Sequence, residues 1–273
     1  MIIHALIPAR GGSKSIPKKN IRRYDRYPLL VHSILAAQEI PSISRIVVST
    51  DCEETRQIAL KHGADVPFLR PSNISGDLST DLECFQHYIS WLKIMGQELP
   101  DIIVHLRPTY PGRKNCILDN CLKKFLRVKN DYSSLRTVIP LDKSLFKMYT
   151  IDKKENTLTP TYTEFGEIKE PYNQVRQILP TTYLHNGCID IVKRETIEKG
   201  SITGDKIYAF VMEKEETYDI DTEEDWERSL ESQTNEISNE LNATRSKPID
   251  IPIAKKNIKK KIKRERDIYF YTY

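Results

Sequence analysis

The stretch "IPARGGSKSIPKKN" at residues 7–20 combines residue types that bind anions. Glycines permit positive φ and a close approach of the backbone to a ligand, while lysines and arginines can surround a polyphosphate. An apolar run that empties into such a loop commonly brings backbone N–H groups and cations to phosphate. The spacing fits neither GxxxxGK[ST] nor GxGxxG, so a solvated basic turn remains the alternative. The residues in question are Arg10, Gly11, Gly12, Lys14, Lys18 and Lys19.

A pair of acidic residues, Asp219 and Asp221 in "YDIDTEEDW", is the second candidate for chemistry. On an extended segment, i, i+2 spacing points both carboxylates the same way. Carboxylate oxygens are ligands that Mg²⁺ prefers. We therefore predict Mg²⁺ as the cofactor, held by Asp219 and Asp221, with an exposed acidic turn as the alternative. Asp225 lies one helical turn further on and is predicted to be a cap or surface group.

The elements that must position these residues alternate along the first half of the chain. Strand patterns occur in "MIIHALIPA", "ISRIVVSTD" and "PDIIVHLRPT". Helix patterns occur in "LLVHSILAAQEI", "CEETRQIALKHGA", "STDLECFQHYISWLKIMG" and "NCILDNCLKKFLRVK". This order favours an α/β fold with a doubly wound, mainly parallel sheet. Ligands bind at the carboxyl ends of such strands, so the turns 10–20, 49–51 and 107–113 are expected to converge.

The second half divides into three parts. Residues 140–180, here called the lobe, lack apolar periodicity and are predicted to be an inserted lobe or interface arm. Strand patterns then return, and "DTEEDWERSLES" predicts a closing helix capped by Asp221 or Thr222. We place the main domain at 1–231 and a basic, largely unstructured extension at 232–273.

Charge and composition exclude several classes of protein. The chain has 42 Lys and Arg against 38 Asp and Glu, and the excess belongs to the extension, so the near-neutral body does not favour nucleic-acid binding. No apolar run is long enough to span a membrane, and the start is too short for a signal peptide. The 5 cysteines form no CxxC pair, which indicates reduced thiols and a cytoplasmic location. The basic cluster of the extension leaves a nuclear location open.

Five segments, in order, are similar to motifs of the acylneuraminate cytidylyltransferase family, also called the CMP-sialic acid synthetases. They are "IPARGGSKSIPKKNI", "FLRPSNISGDLSTD", "RPTYPGR", "RQILPTTYLHNGCIDI" and "YDIDTEEDW", and together they cover residues 1 to about 230. The sequence departs from the family pattern at Ser15, Tyr110, Gly112 and Cys188. None of these removes a charged group.

The resemblance implies a Rossmann-like nucleotidyltransferase that joins a nonulosonic (sialic-type) sugar acid to CMP from CTP. It implies that Arg10, Ser13, Lys19 and Asn20 hold the triphosphate and that Lys14 neutralises the departing pyrophosphate. Arg70, Ser79 and Thr80 are placed near the cytosine, and Arg107 belongs to the nucleotide site. Arg176, Gln177 and Asn186 fall on the acceptor side, where an arginine suits the sugar carboxylate. His185 is more readily a structural residue than a base.

Two other functions stay open at this point. One is activation of an eight-carbon ulosonic acid, and the other is a non-catalytic nucleotide-binding or assembly module. Retention of Arg10, Lys14, Lys19, Asp219 and Asp221 argues against the second. The resemblance also implies a homodimer in which the lobe reaches across to the partner's acceptor site.

Overall fold

The computed structural model describes residues 1–213 and 219–232. Residues Met1–Glu231 form one compact unit. The extension predicted at 232–273 lies outside the described residues except for Ser232, and its boundary stays a prediction. In the described ranges, no helix is long and apolar enough to cross a membrane.

Strands occur along the whole length of this unit. In chain order they are β1 (Ile3–Pro8), β2 (Arg23–Tyr24), β3 (Tyr27–Pro28), β4 (Arg45–Ser49), β5 (Ile102–His105), β6 (Ser134–Pro140), β7 (Tyr149–Asp152), β8 (Thr157–Pro160), β9 (Glu164–Phe165), β10 (Ile168–Lys169), β11 (Tyr183–Lys193) and β12 (Ile207–Val211). The helices are α1 (Leu29–Gln38), α2 (Glu53–Lys61), α3 (Asp81–Ile94), α4 (Asn115–Val128), α5 (Arg194–Glu198) and α6 (223–232).

Six strands form the central sheet in the order β12-β6-β11-β5-β1-β4. β4, β1 and β5 are parallel to one another, and β6 is parallel to β12. β11 alone runs against its neighbours β5 and β6. The sheet is therefore mainly parallel, which confirms the predicted α/β class.

The side chains of β1 point alternately to the two faces of the sheet, and helices cover both faces. Ile3, Ala5 and Ile7 pack in a buried cluster with α1 and α4, while Leu6 packs in another cluster with α3. Adjacent strand residues point to opposite faces, so a strand that is covered by helices on both sides is mainly apolar. This accounts for the apolar run, interrupted by the buried His4, that precedes the basic loop.

The lobe carries small separate hairpins. β7 pairs with β8 and β9 pairs with β10, each antiparallel and outside the central sheet. Several of its large apolar side chains are exposed, among them Ile151, Leu158, Phe165, Val175 and Ile178. The segment is thus an appendage with little core of its own.

Candidate active site

A cleft of about 440 Å³ opens where β1 and β5 end at their carboxyl termini. The predicted convergence of turns is present here, since the Gly11 N–H donates to Asp51 Oδ1 at 2.8 Å after β4. Ten predicted site residues line the cleft. They are Arg10, Ser13, Lys14, Lys19, Asn20, Arg70, Ser79, Thr80, Arg107 and Asp221.

The two glycines of the basic loop serve a different purpose from the one predicted. Neither Gly11 nor Gly12 has positive φ, and the left-handed residue of the loop is Lys18, with φ 54°. The positive φ that glycine permits is therefore not used at either position. A Cβ on Gly11 would lie 2.7 Å from Cys52 Cβ, whereas a Cβ on Gly12 would meet no atom within 4 Å. Gly11 is required for a close approach of the loop to the start of α2.

Lys19 is the most buried cation of the loop. Lys19 is 8% exposed, and its ammonium donates to the Ile220 carbonyl at 2.8 Å and to Asp221 Oδ1 at 2.9 Å. Asn20 closes the loop on itself by donating from Nδ2 to the Arg10 carbonyl at 2.8 Å. The basic loop is thereby attached to the acidic segment, residues 219–221.

Asp219 and Asp221 flank the buried Ile220 and are both exposed. Partial removal from water raises the pKa of Asp219, and the Asp221 charge adds to the rise, while a hydrogen bond with Thr109 opposes it. Asp221 lines the cleft. Asp225 caps α6 together with Thr222, because the Thr222 N–H donates to Asp225 Oδ2 at 2.9 Å. The predicted capping role of Asp225 is confirmed.

Arg10 and Lys14 meet a carboxylate from the opposite side of the cleft. Arg10 Nη1 lies 3.0 Å from Asp77 Oδ1 and donates to the Gly76 carbonyl at 2.9 Å. Lys14 Nζ pairs with Asp77 Oδ2. These contacts lower the pKa of Asp77, with the Lys14 hydrogen bond as the main cause.

Arg70 and the start of α3 form another wall. Arg70 is 7% exposed, and its Nε is buried with no hydrogen-bond partner among the residues described. Thr80 is the N-cap of α3 and forms a capping box with Glu83. The Arg70 donor and the Ser79 and Thr80 hydroxyls give this wall the polar groups that recognition of a base requires.

Arg107 lies at the centre of a buried charge network. Its Nη1 donates to Asp190 Oδ2 at 2.8 Å and to the Gly187 carbonyl at 3.2 Å, while its Nη2 donates to Asp81 Oδ2 at 3.1 Å. Burial disfavours the charged forms of Arg107 and Asp190. The hydrogen bond with His185 and the charge of Arg107 nevertheless hold the pKa of Asp190 far below its ordinary value.

His105 lies between the two carboxylates of this network. Nε2 is 3.9 Å from Asp81 Oδ2, and Nδ1 is 3.6 Å from Asp190 Oδ2. Burial lowers the pKa of His105, and the charge of Arg107 acts in the same direction. The ring is therefore neutral near pH 7 and separates two anions without adding charge.

The predicted acceptor residues do not line this cleft. Arg176 and Gln177 are exposed on the lobe. Asn186 is buried, and its side chain is hydrogen-bonded to Thr137, to the Cys188 N–H and to Met212. His185 Nε2 lies 2.8 Å from Asp190 Oδ1, which agrees with a structural role.

Several polar residues of the site were not singled out from the sequence. Asp77, Asp81, His105 and Thr109 line the cleft, and Asp190 lies behind Arg107. A usable signal existed for two of them: His105 and Asp190 are polar residues inside otherwise apolar strands, in "IIVHL" and "CIDIV". Buried polar groups of this kind need partners and often form networks.

Comparison with known proteins gives a consistent result. The model of a family described as cytidylyltransferase matches residues 4–178. A CMP-N,N'-diacetyllegionaminic acid synthase of Legionella pneumophila is 32% identical over 231 residues, covering 83% of this chain and 94% of that protein. A pseudaminic acid cytidylyltransferase of Campylobacter jejuni is 32% identical over 173 residues, covering 59% of this chain and 74% of that protein.

A solved structure has the same architecture. A CMP:2-keto-3-deoxy-manno-octonic acid synthetase complexed with CTP superimposes with a TM-score of 0.60, covering 86% of this chain and 100% of that chain. The sequences are 15% identical, so this likeness shows the fold alone.

Proposed function

The chain belongs to the cytidylyltransferase family, and from that premise we propose that it transfers CMP from CTP to a nonulosonic sugar acid. In this reaction a hydroxyl of the sugar acid attacks the α-phosphorus of CTP. A bond forms between that oxygen and phosphorus, the bond to the bridging oxygen of pyrophosphate breaks, and a proton is released. Such transfer depends mainly on positioning and on stabilisation of phosphate charge.

One observation carries the proposal: cations of the basic loop and a carboxylate of the acidic segment line the same cleft. Arg10, Lys14 and Lys19 line the cleft from the basic loop, and Asp221 lines it from the acidic segment. Guanidinium and ammonium groups can hold the phosphate oxygens through charge-assisted hydrogen bonds. Arg70 lines the same cleft and adds a further cation to it.

The residues present fit Mg²⁺ bound jointly by protein and substrate. Within 1–213 and 219–232, no cluster of three or more His, Cys, Asp or Glu side chains could hold a metal alone. Mg²⁺ is commonly bound by one or two carboxylates together with phosphate oxygens and water, which Asp219 and Asp221 could provide with CTP. Burial is the main cause of the raised pKa of Asp219, and only the smaller part that comes from the Asp221 charge is one that a cation would relieve. When bound, Mg²⁺ would neutralise charge on the phosphates.

A nine-carbon acceptor is favoured over an eight-carbon one. Both bacterial relatives reported above are named for nonulosonic substrates and are 32% identical to this chain. The octonic acid synthetase shares only the fold at 15% identity. The charged groups at the cleft argue against a non-catalytic module, because such a module needs no metal carboxylates beside its phosphate cations.

We further infer a homodimer. The lobe exposes apolar side chains, and Arg176 and Gln177 on it do not reach the cleft of their own unit. An isologous dimer would bury the exposed apolar side chains of the lobe. It could also place Arg176 and Gln177 at the partner's acceptor site. Light scattering on the active enzyme measures the mass, and an active monomer at micromolar concentration would contradict the inference.

A cytoplasmic location is proposed on the cysteine chemistry. Cys52, Cys84, Cys116, Cys121 and Cys188 are all free thiols. The bacterial relatives give no support to a nuclear location.

Pyrophosphate release tests the proposed function. The purified protein is incubated with Mg²⁺, each of the four ribonucleoside triphosphates and a panel of eight- and nine-carbon sugar acids. We expect release with CTP and at least one nine-carbon acid. Release only with an eight-carbon acid would support that alternative, and CTP binding without release from any acid would support the binding module.

A further inference from the structure

Asp77 pairs with two of the cations that are proposed to bind phosphate. It belongs to the turn between Arg70 and α3, and its carboxylate reaches across the cleft to the basic loop. One oxygen lies 3.0 Å from Arg10 Nη1, and the other pairs with Lys14 Nζ. Two cations assigned to the triphosphate are thus already paired with one anion of the protein itself.

These side chains are exposed enough for another anion to replace Asp77 as the partner of Arg10 and Lys14. The side chains of Asp77 and Lys14 are 44% and 79% exposed, and that of Arg10 is 35% exposed. Exposed ion pairs contribute little net stability, so a stronger anion can replace them. The contrast is Lys19, whose side chain is nearly buried against Asp221 and Ile220.

We propose that Asp77 is an intramolecular competitor for the triphosphate, so that nucleotide binding exchanges its carboxylate for phosphate oxygens on Arg10 and Lys14. This inference rests on the proposed function of the cleft. It makes Asp77 a specificity-determining residue, because the exchange favours ligands with high negative charge. A CMP-sugar has one phosphodiester and far less charge than CTP, so Asp77 regains Arg10 and Lys14 when product forms.

Titration calorimetry with two probes, CTP with Mg²⁺ and inorganic tripolyphosphate, tests this. Asp77→Asn removes the competing charge and is expected to bind both probes about three- to tenfold more tightly than the wild type. Asp77→Glu keeps the charge and is expected to stay within about twofold of wild type. The matched control is Asp119→Asn, which removes the same charge from a surface ion pair with Lys123 on α4. It is expected to change neither affinity.

The outcomes separate this inference from the proposed function. Unchanged or weaker binding of both probes by Asp77→Asn, with wild-type binding intact, overturns the competitor role and leaves the proposed function in place. Equal tightening in Asp119→Asn also overturns it, because the effect would then be general electrostatics. If the folded wild-type protein binds neither probe, the triphosphate site and the competitor role both fail. Circular dichroism verifies that each variant is folded.

Discussion

Lys19 and Asp221 form an ion pair of 2.9 Å across 202 positions of the chain. The lysine belongs to the basic loop and the aspartate to the acidic segment, so the pair joins the proposed phosphate ligands to the proposed metal ligands. Lys19 also donates to the Ile220 carbonyl and is nearly buried. One side chain therefore sets the position of both halves of the site.

Replacement of Lys19 should reduce activity and stability together. Lys19→Ala removes a charge-assisted contact and leaves a buried carbonyl without its donor. We expect kcat/KM to fall by about 100- to 1,000-fold, equivalent to about 2.7–4 kcal/mol, and Tm to fall as well. Arg10→Ala should lose comparable activity with a smaller change in Tm, because Arg10 is more exposed. Lys61→Ala, on the exposed end of α2, is the control, and near-normal turnover in Arg10→Ala would contradict the assignment of the loop.

The acidic segment should control the Mg²⁺ requirement. Asp219→Asn and Asp221→Asn are expected to raise the Mg²⁺ concentration for half-maximal activity, whereas Asp119→Asn is not. The pKa of Asp219 is raised, so in the wild type this carboxyl takes up a proton earlier than usual as pH falls, and Mg²⁺ binding weakens. Asp219→Asn should lose this part of the pH dependence. A Mg²⁺ requirement identical to wild type in both variants would exclude the segment as the metal site.

The strand β1 contains a histidine that should make stability depend on pH. Burial lowers the pKa of His4 to about 4 from 6.5, and its Nδ1 lies 2.8 Å from the Tyr88 hydroxyl. Between these values the unfolded chain binds a proton that the folded protein does not, so stability decreases as pH falls from 6.5 towards 4. The loss is about 3 kcal/mol.

Urea denaturation at a series of pH values measures this contribution. His4→Leu should show a smaller decrease in the free energy of unfolding between pH 7 and 4 than the wild type. If His4→Leu and the wild type have parallel profiles, His4 is not the group responsible.

The extension can be tested by truncation. Residues 233–273 lie outside the described residues and carry the excess positive charge of the chain. A protein ending at Ser232 is expected to fold and to retain its turnover with CTP, with a lower pI. Loss of activity at low salt but not at high salt would show that the extension steers the anionic substrates. Unfolding of the truncated protein would show that it packs on the body.

Local sequence patterns predicted most elements of the fold. β1, β4 and β5 are apolar runs because they are buried on both faces of the sheet. The helices between them show apolar periodicity because each is buried on one face. Thr80 forms a capping box with Glu83 at the start of α3, as the spacing of these two residues allows. These features depend on residues close together in the chain, which is why they can be read from it.

Features that depend on distant partners were not predictable in this way. The antiparallel insertion of β11 between β5 and β6 depends on pairing with both strands. The need for Gly11 comes from Cys52, which lies beside it only after β1 and β4 have paired. Likewise, Asp77 pairs with Arg10 and Asp190 pairs with Arg107, and each arginine lies in a distant part of the chain.

The small cluster under the basic loop has a consequence for the order in which the protein matures on the ribosome. Ile16, Tyr24 and Leu29 emerge early, but they are buried by Ile220 and Trp226, which are made near the end of the described unit. Contacts between such distant residues form only after the whole intervening chain is available. A stalled nascent chain that stops before residue 219 is therefore expected to contain β1, β4 and β5 and yet fail to bind immobilised CTP. Catalytic competence arrives as one of the last events of biosynthesis.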